Sequence, residues 1–281
     1  MTRHVAIIGH PVAHSRSPLI HGYWLKQHGI DGAYDRCDIA PEAIDGFLAD
    51  FPASGLVGAN VTVPHKEAAF RAASRLDPVA AALGAVNTLW REEGRLHGAN
   101  TDVPGFLANL DAAEPEWARA LGEAVVLGAG GASRAVVYGL LERGIDRVVV
   151  ANRTLARAEA LRDQFGPRVL PVAWRDLAGR LNGCRLLVNT TSLGMKGQPP
   201  LDIELSSLSP DAVVTDIVYV PLETPLLAAA KARGLKTVDG LGMLLHQAVP
   251  GFERWFGVRP QVTVELRNLV LADLAAKGQL R

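Results

Sequence analysis

At 281 residues the chain exceeds one average domain, and its 29 Lys+Arg are balanced by 29 Asp+Glu. There is no bulk positive field to hold a phosphate backbone and no acidic tail, which excludes nucleic acid as an expected partner. Hydrophobic residues make up 48% of the chain, enough to bury a core in two modest domains or one large one.

In chain order, the first apolar run is Val5–Ile8, stopped by Gly9. It is too short for a signal segment, and nowhere do ~18 uninterrupted apolar residues occur, so a soluble, cytoplasmic protein with no membrane partner is expected. Short apolar runs then alternate with amphipathic stretches over 19–29, 33–39 and 42–51, followed by LVGANVTV (56–63) and HKEAAFRAAS (65–74). That is the β-α-β rhythm of a mostly parallel sheet. Residues 85–98 read as a hairpin turned by Glu93-Gly94, and one α/β unit ends near residue 100. The stretch 110–123 is polar and interrupted by proline. After it a second alternation begins with AVVLG, a helix from about 132, VVVAN, a helix from Thr154, LLVN and VVTDIVY. Beyond Val238 two closing helices follow with no strand between them. Cys37 and Cys184 lie far apart and form no CxxC or Cys/His cluster, so neither a disulfide nor a metal is expected.

The second unit carries VVLGAGGASRAV (125–136), an apolar strand running through Gly128, Ala129, Gly130, Gly131 and Ala132 into a helix. Small residues there let the backbone approach a pyrophosphate, and free N–H groups of the helix start face its charge. A plain tight turn would also account for the glycines, and Ser133 stands where the strict GxGxxG pattern has its third. A NAD-binding fold usually ends the next strand with Asp or Glu on the ribose 2′-hydroxyl. Here that strand ends in Asn152-Arg153-Thr154, with Arg157 one turn along. Guanidinium groups suit a 2′-phosphate through paired, charge-assisted hydrogen bonds, so NADP is the expected cofactor.

The first unit supplies the polar groups. GHPVAHSRSP (9–18) lies between a strand and a helix, with Ser17-Pro18 reading as N-cap and first helical residue. Ser15 is left over, and two hydroxyls at a helix start suit a small carboxylate. Asn60, Thr62 and Lys66 in NVTVPHK, Asn87-Thr88 in GAVNT and Asn100-Thr101-Asp102 in GANTD each end an apolar run. Strand ends of a parallel sheet line one edge, where ligands bind, although turn chemistry explains any single asparagine there equally well.

These motifs, with GAGGASRA, NRT, NTTSLGM, DIVYVPLETP and DGLGMLLHQA, occur in one order from residue 5 to about 250, and in them the chain resembles the shikimate dehydrogenase family. The resemblance implies a two-domain α/β protein. A substrate-binding domain with a mostly parallel sheet would cover 1–104, completed by the helices of 239–281, and a Rossmann-like NADP-binding domain would cover 105–238. It further implies NADPH-dependent reduction of 3-dehydroshikimate to shikimate, on the route to aromatic amino acids. Lys66 and Asp102 would be the catalytic pair. Ser15 and Ser17, helped by Thr62 and Tyr219, would hold the substrate carboxylate, and Asn60, Asn87 and Gln247 would reach the ring hydroxyls. Gly128, Ala129, Gly130, Gly131 and Ala132 would cradle the pyrophosphate, and Asn152, Arg153, Thr154 and Arg157 the adenosine phosphate. Ile217, Gly240 and Met243 would meet the nicotinamide end.

A lone lysine after proline is ordinarily a solvated charge. Lys66, however, has Asp102 as a partner, and a carboxylate at ~4–6 Å favours the ammonium form against desolvation. Carbonyl reduction needs that form, because charge grows on oxygen as hydride lands on carbon, and an ammonium can stabilise the charge and then protonate it. Val103, Pro104, Thr190 and Val220 depart from the commonest family pattern, and Pro104 would stiffen the crossover into the second domain. Three rival readings remain. An NAD-preferring quinate/shikimate dehydrogenase would be favoured by an acid in place of Asn152-Arg153. A non-catalytic metabolite sensor would be free to lose Lys66 or Asp102. A methylenetetrahydrofolate-type dehydrogenase lacks a use for Ser15 and Ser17. Monomer and homodimer both stay open.

Overall fold

The alternating runs become two six-stranded sheets in a computed structural model that describes residues 2–119 and 121–280. The chain divides into two compact units, Met1–Asp102 with Gln247–Val270 and Val103–His246 with Leu271–Arg281.

The first unit contains, in order, β1 (Arg3–Gly9), α1 (Ser17–Gln27), β2 (Gly32–Asp38), α2 (Ile44–Ala49), β3 (Gly58–Val61), α3 (Lys66–Ala72), β4 (Arg75–Leu76), α4 (Pro78–Leu83), β5 (Thr88–Glu92) and β6 (Arg95–Ala99). Its sheet runs β2-β1-β3-β5-β6-β4, parallel across β2-β1-β3 and antiparallel from β3 through β5 to β6. The antiparallel β5–β6 pair follows from the hairpin. Glu93 and Gly94 take φ of 51° and 73°, the two-residue turn whose twist matches that of right-handed strands. Ile8, Phe51, Ala59 and Leu89 belong to a core cluster of this unit. His21, Trp24, Tyr34, Phe252 and Trp255 form a separate aromatic cluster. A Cβ at Gly58 would run into the indole of Trp255, whose Nε1 donates to Leu89 O at 2.9 Å.

From α5 (Asp102–Ala113) the chain enters the second unit, through β7 (Glu123–Leu127), α6 (Gly131–Glu142), β8 (Arg147–Asn152), α7 (Leu155–Phe165), β9 (Val169–Ala173), β10 (Leu186–Asn189), β11 (Val213–Asp216), α8 (Pro225–Ala232) and β12 (Lys236–Val238), and two further helices follow, α9 (Leu241–Phe256) and α10 (Val264–Ala276). This sheet is parallel throughout, in the order β12-β11-β10-β7-β8-β9. The order reverses between β7 and β10, which makes it a doubly wound Rossmann-type sheet with its switch point beside the end of β7. Runs such as Val148–Ala151 are buried completely because apolar clusters cover both faces.

Two features differ from the sequence reading. The polar linker expected over 110–123 gives up its first residues to α5, which tolerates Pro104 because a first-turn N–H has no acceptor within the helix. Val103, Phe106 and Leu110 bury one face of it at helical spacing. The closing helices are shared between the units, since the division falls inside both α9 and α10. Lys196 Nζ donates to Gly278 O at 2.5 Å, which ties the end of the chain to the second unit. Among the described residues no helix is long and apolar enough to cross a membrane.

Candidate active site

β3 carries Asn60 toward its C-terminal end, Thr62 follows, and a turn through Pro64 starts α3 at Lys66. The residue before the lysine is pinned, because His65 is buried with Nε2 2.6 Å from Ile39 O. Lys66 Nζ donates to Asp102 Oδ2 at 2.5 Å, and the two side chains are 28% and 17% exposed. The lysine is therefore neither sealed in nor a free surface charge. Asp102 is set by its own N–H, which donates to Asn100 Oδ1 at 3.0 Å, while Asn100 Nδ2 donates to Ala85 O at 3.0 Å. Its second oxygen accepts from Asn87 Nδ2 at 2.9 Å. Asn87 Oδ1 accepts from Thr101 N at 2.8 Å, and Thr101 Oγ1 lies 3.5 Å from Gln247 Oε1. Asn60 Nδ2 donates to Asn87 O and Thr88 Oγ1, both at 3.2 Å. Lys66, Asp102, Asn87, Asn60 and Gln247 are thus brought into one hydrogen-bonded network from four separate segments of sequence.

The two serines behave differently from each other. α1 begins at Ser17, so Ser17 is not the cap the sequence led one to expect; Arg16 holds that position without a side-chain bond to the helix. Ser15 Oγ accepts from the Ser17 N–H at 3.2 Å instead, satisfying a helix-start donor from two residues back. Ser17 is buried and Ser15 half-buried. Thr62 packs its methyl against Gly9, where a Cβ would collide with it. Among the described residues none of these three bonds to Lys66 or Asp102.

In the second unit Gly128 leaves β7 at φ +100°, and a Cβ there would stand 2.9 Å from both Thr190 Oγ1 and Thr191 Cγ2. No other residue type fits that conformation and that approach. Around Gly130 and Gly131 the space is open, and α6 starts at Gly131 with its first N–H groups free of intrahelical partners. Gly128, Ala129 and Gly130 line a cleft of about 450 Å³ together with Asn152, Arg153 and Arg157. Asn152 ends β8 with its Nδ2 donating to Thr154 O at 2.8 Å, and Thr154 is the N-cap of α7. Arg153 and Arg157 are exposed and have no ion-pair partner among the described residues. Open glycine backbone, a helix start and unpaired guanidinium groups fit a dinucleotide bearing an extra phosphate. Ala129, Ile217 and Met243 pack half-buried on the same core cluster, and Gly240 lets the backbone touch that of Ile217, where a Cβ would clash. Tyr219 also belongs to this unit, half-buried in the segment after β11.

The roles of several supporting residues escaped the sequence reading. Ser133, in the place of a third glycine, accepts from Gly130 N at 3.0 Å and lies 2.6 Å from Thr190 Oγ1, which itself donates to Leu127 O at 2.6 Å. Asp216 ends β11 fully buried and accepts from Asn189 Nδ2 (3.0 Å), Thr224 Oγ1 (2.7 Å) and Val218 N (3.0 Å). Burial pushes its carboxyl above the ordinary value against the pull of those donors. Trp174 and Thr191 line the cofactor-sized cleft as well. NTTSLGM was visible as a motif, but its role depends on contacts across the sheet that no single stretch displays.

Three family models match in succession. They describe a shikimate dehydrogenase substrate-binding domain over residues 7–89, a shikimate/quinate 5-dehydrogenase over 116–195 and a shikimate 5′-dehydrogenase C-terminal domain over 240–264. A shikimate dehydrogenase (NADP(+)) of Azorhizobium caulinodans is 67% identical over 278 residues, 99% of each chain. One from Rhodopseudomonas palustris is 61% identical over 98% of each. Among solved structures, a shikimate 5-dehydrogenase from Thermus thermophilus in complex with NADP(H) and shikimate superposes with a TM-score of 0.85 at 39% identity, covering 98% of this chain and 100% of that one. A quinate dehydrogenase from Corynebacterium glutamicum in complex with NAD gives 0.89 at 32% identity, over 96% and 99%. The likeness runs through both units and nearly every residue, and the chain belongs to the shikimate dehydrogenase family.

Proposed function

We propose that this chain catalyses the reversible, NADPH-dependent reduction of 3-dehydroshikimate to shikimate, in the cytoplasm, with Lys66 as the acid. The observation that carries the reading is the 2.5 Å pair of Lys66 with Asp102. As the carbonyl is reduced, negative charge grows on its oxygen. Lys66 stabilises that charge as an ammonium and then transfers a proton to it. Its partial exposure lets solvent restore the proton. Asp102 holds the lysine with one oxygen and Asn87 with the other, and lone pairs remain on both to accept from a substrate hydroxyl. Asn60, Asn87 and Gln247 bind the ring hydroxyls. Ser15, Ser17, Thr62 and Tyr219 hold the carboxylate.

The cofactor, when bound, supplies the hydride. Gly128 to Ala132 receive its pyrophosphate on open backbone, and Asn152 to Arg157 hold the 2′-phosphate. Ile217, Gly240 and Met243 shape the nicotinamide end. No carboxylate stands at the end of β8 to favour NAD, and two guanidinium groups stand beside it. Initial rates with shikimate and with quinate, each against NADP and NAD, test the whole reading. The expected result is that shikimate with NADP is by far the best pair. Faster turnover of quinate with NAD would replace this reading with that of a quinate dehydrogenase.

A further inference from the structure

The hydrogen bonds leading away from Lys66 have a single direction. An ionised carboxylate only accepts, so Asn87 must turn its NH2 to Asp102 Oδ1 and its carbonyl oxygen toward Thr88 and the Thr101 N–H. Thr88 has one proton, directed at Asn87 Oδ1 over 3.0 Å, and can therefore only accept from Asn60 Nδ2. That fixes the Asn60 amide with Oδ1 facing Tyr34, whose hydroxyl must donate, at 2.6 Å. Every member of the chain before Asp102 is buried, from Thr88 at 2% exposure to Tyr34 at 7%.

A tyrosine in an aromatic cluster is ordinarily packing, yet packing alone is satisfied by phenylalanine, and a buried hydroxyl costs stability unless it is used. Tyr34 lies on β2 and stacks on the ring of His21, with centroids 4.1 Å apart and planes 2° from parallel. His21 is fully buried, and burial pushes its imidazole down to about 3, so it stays uncharged at neutral pH. Burial likewise pushes the Tyr34 phenol up, against a smaller opposing effect of Ser17, and keeps the proton on its oxygen.

We propose that Tyr34 is a positioning residue for proton transfer: its hydroxyl terminates the chain Tyr34–Asn60–Thr88–Asn87–Asp102 and so orients the carboxylate that holds Lys66. The proposal rests on the reading of Lys66 as the acid. Tyr34→Phe deletes one oxygen and keeps the stack. With shikimate and NADP its kcat falls about three- to tenfold, while KM for NADP stays within about twofold. Thr88→Val opens the same chain elsewhere, so the double variant loses no more than the worse single one. Wild-type kcat in Tyr34→Phe, or losses that multiply in the double variant, overturn the proposal. If Tyr34→Phe does not fold, Thr88→Val decides alone, and an unchanged kcat overturns it. Lys66→Ala, assayed beside them, separates the two ideas. Near-normal kcat there removes the acid reading and the proposal together, whereas an inactive Lys66→Ala beside a normal Tyr34→Phe removes the positioning role only.

Discussion

An ammonium held 2.5 Å from a carboxylate, mostly covered but still touched by solvent, can both give up a proton and recover it. Lys66→Ala is expected to lower kcat by roughly 10²- to 10⁴-fold with little change in the KM for shikimate. A variant that keeps kcat and loses only affinity would make Lys66 a binding group. His21 illustrates the opposite use of a titratable side chain. Its imidazole titrates at about 3 in the fold against 6.5 unperturbed. Between those values the unfolded chain binds a proton that the folded chain refuses, so the stabilisation is complete above pH 6.5 and is lost as pH falls toward 3. The slope is ~1.4 kcal/mol per pH unit for one such group. Burial lowers His246 too, so the test is a difference. Urea unfolding of wild type and His21→Phe at pH 7, 6 and 5 should show wild type losing stability faster, and parallel losses would mean that His21 is not held neutral.

Among the elements, the loops after β7, β10 and β11 show how much of the site lies in contacts between strands. Ser133 and Thr190 looked like two separate departures from pattern, 57 residues apart; in the fold they are one contact, anchored on Leu127 O. Thr190→Val keeps the shape and leaves the buried Ser133 hydroxyl with no acceptor for its proton, only the Gly130 N–H donating to it. A loss of about 1 to 3 kcal/mol in stability is expected, with a several-fold rise in the KM for NADP. Unchanged NADP binding would show that the loop holds its form without the bridge. The same physics decides what could be read beforehand. The hairpin at Glu93-Gly94 and the alternating strands were legible because turn chemistry and periodicity are local. The residues that gather at Lys66 were legible as types at strand ends, whereas their mutual bonds were not. α5 was hidden because Pro104 and Gly105 mask an apolar spacing that Val103, Phe106 and Leu110 carry. Ser17 was misplaced by one position because the bond that satisfies its N–H comes from Ser15.

At the scale of the molecule, the residues assigned to the dinucleotide all belong to the second unit, so cofactor choice should be measurable as stability without substrate. NADP at a hundred times its Kd is expected to add about 2.7 kcal/mol, several degrees in Tm, with NAD at the same concentration adding far less. Arg153→Ala combined with Arg157→Ala should erase the difference. Equal shifts by both cofactors in the wild type would mean that the guanidinium groups do not discriminate. The first unit has a different history, because it is built from two stretches, Met1–Asp102 and Gln247–Val270, that residues 103–246 separate. His21, Trp24 and Tyr34 are synthesised before residues 103–246, and their neighbours Phe252 and Trp255 after them. On the ribosome the aromatic half-cluster therefore stays open while all of residues 103–246 are being made. Lys66 and Asp102 emerge early and wait for a C-terminal segment before the unit that carries them can finish folding.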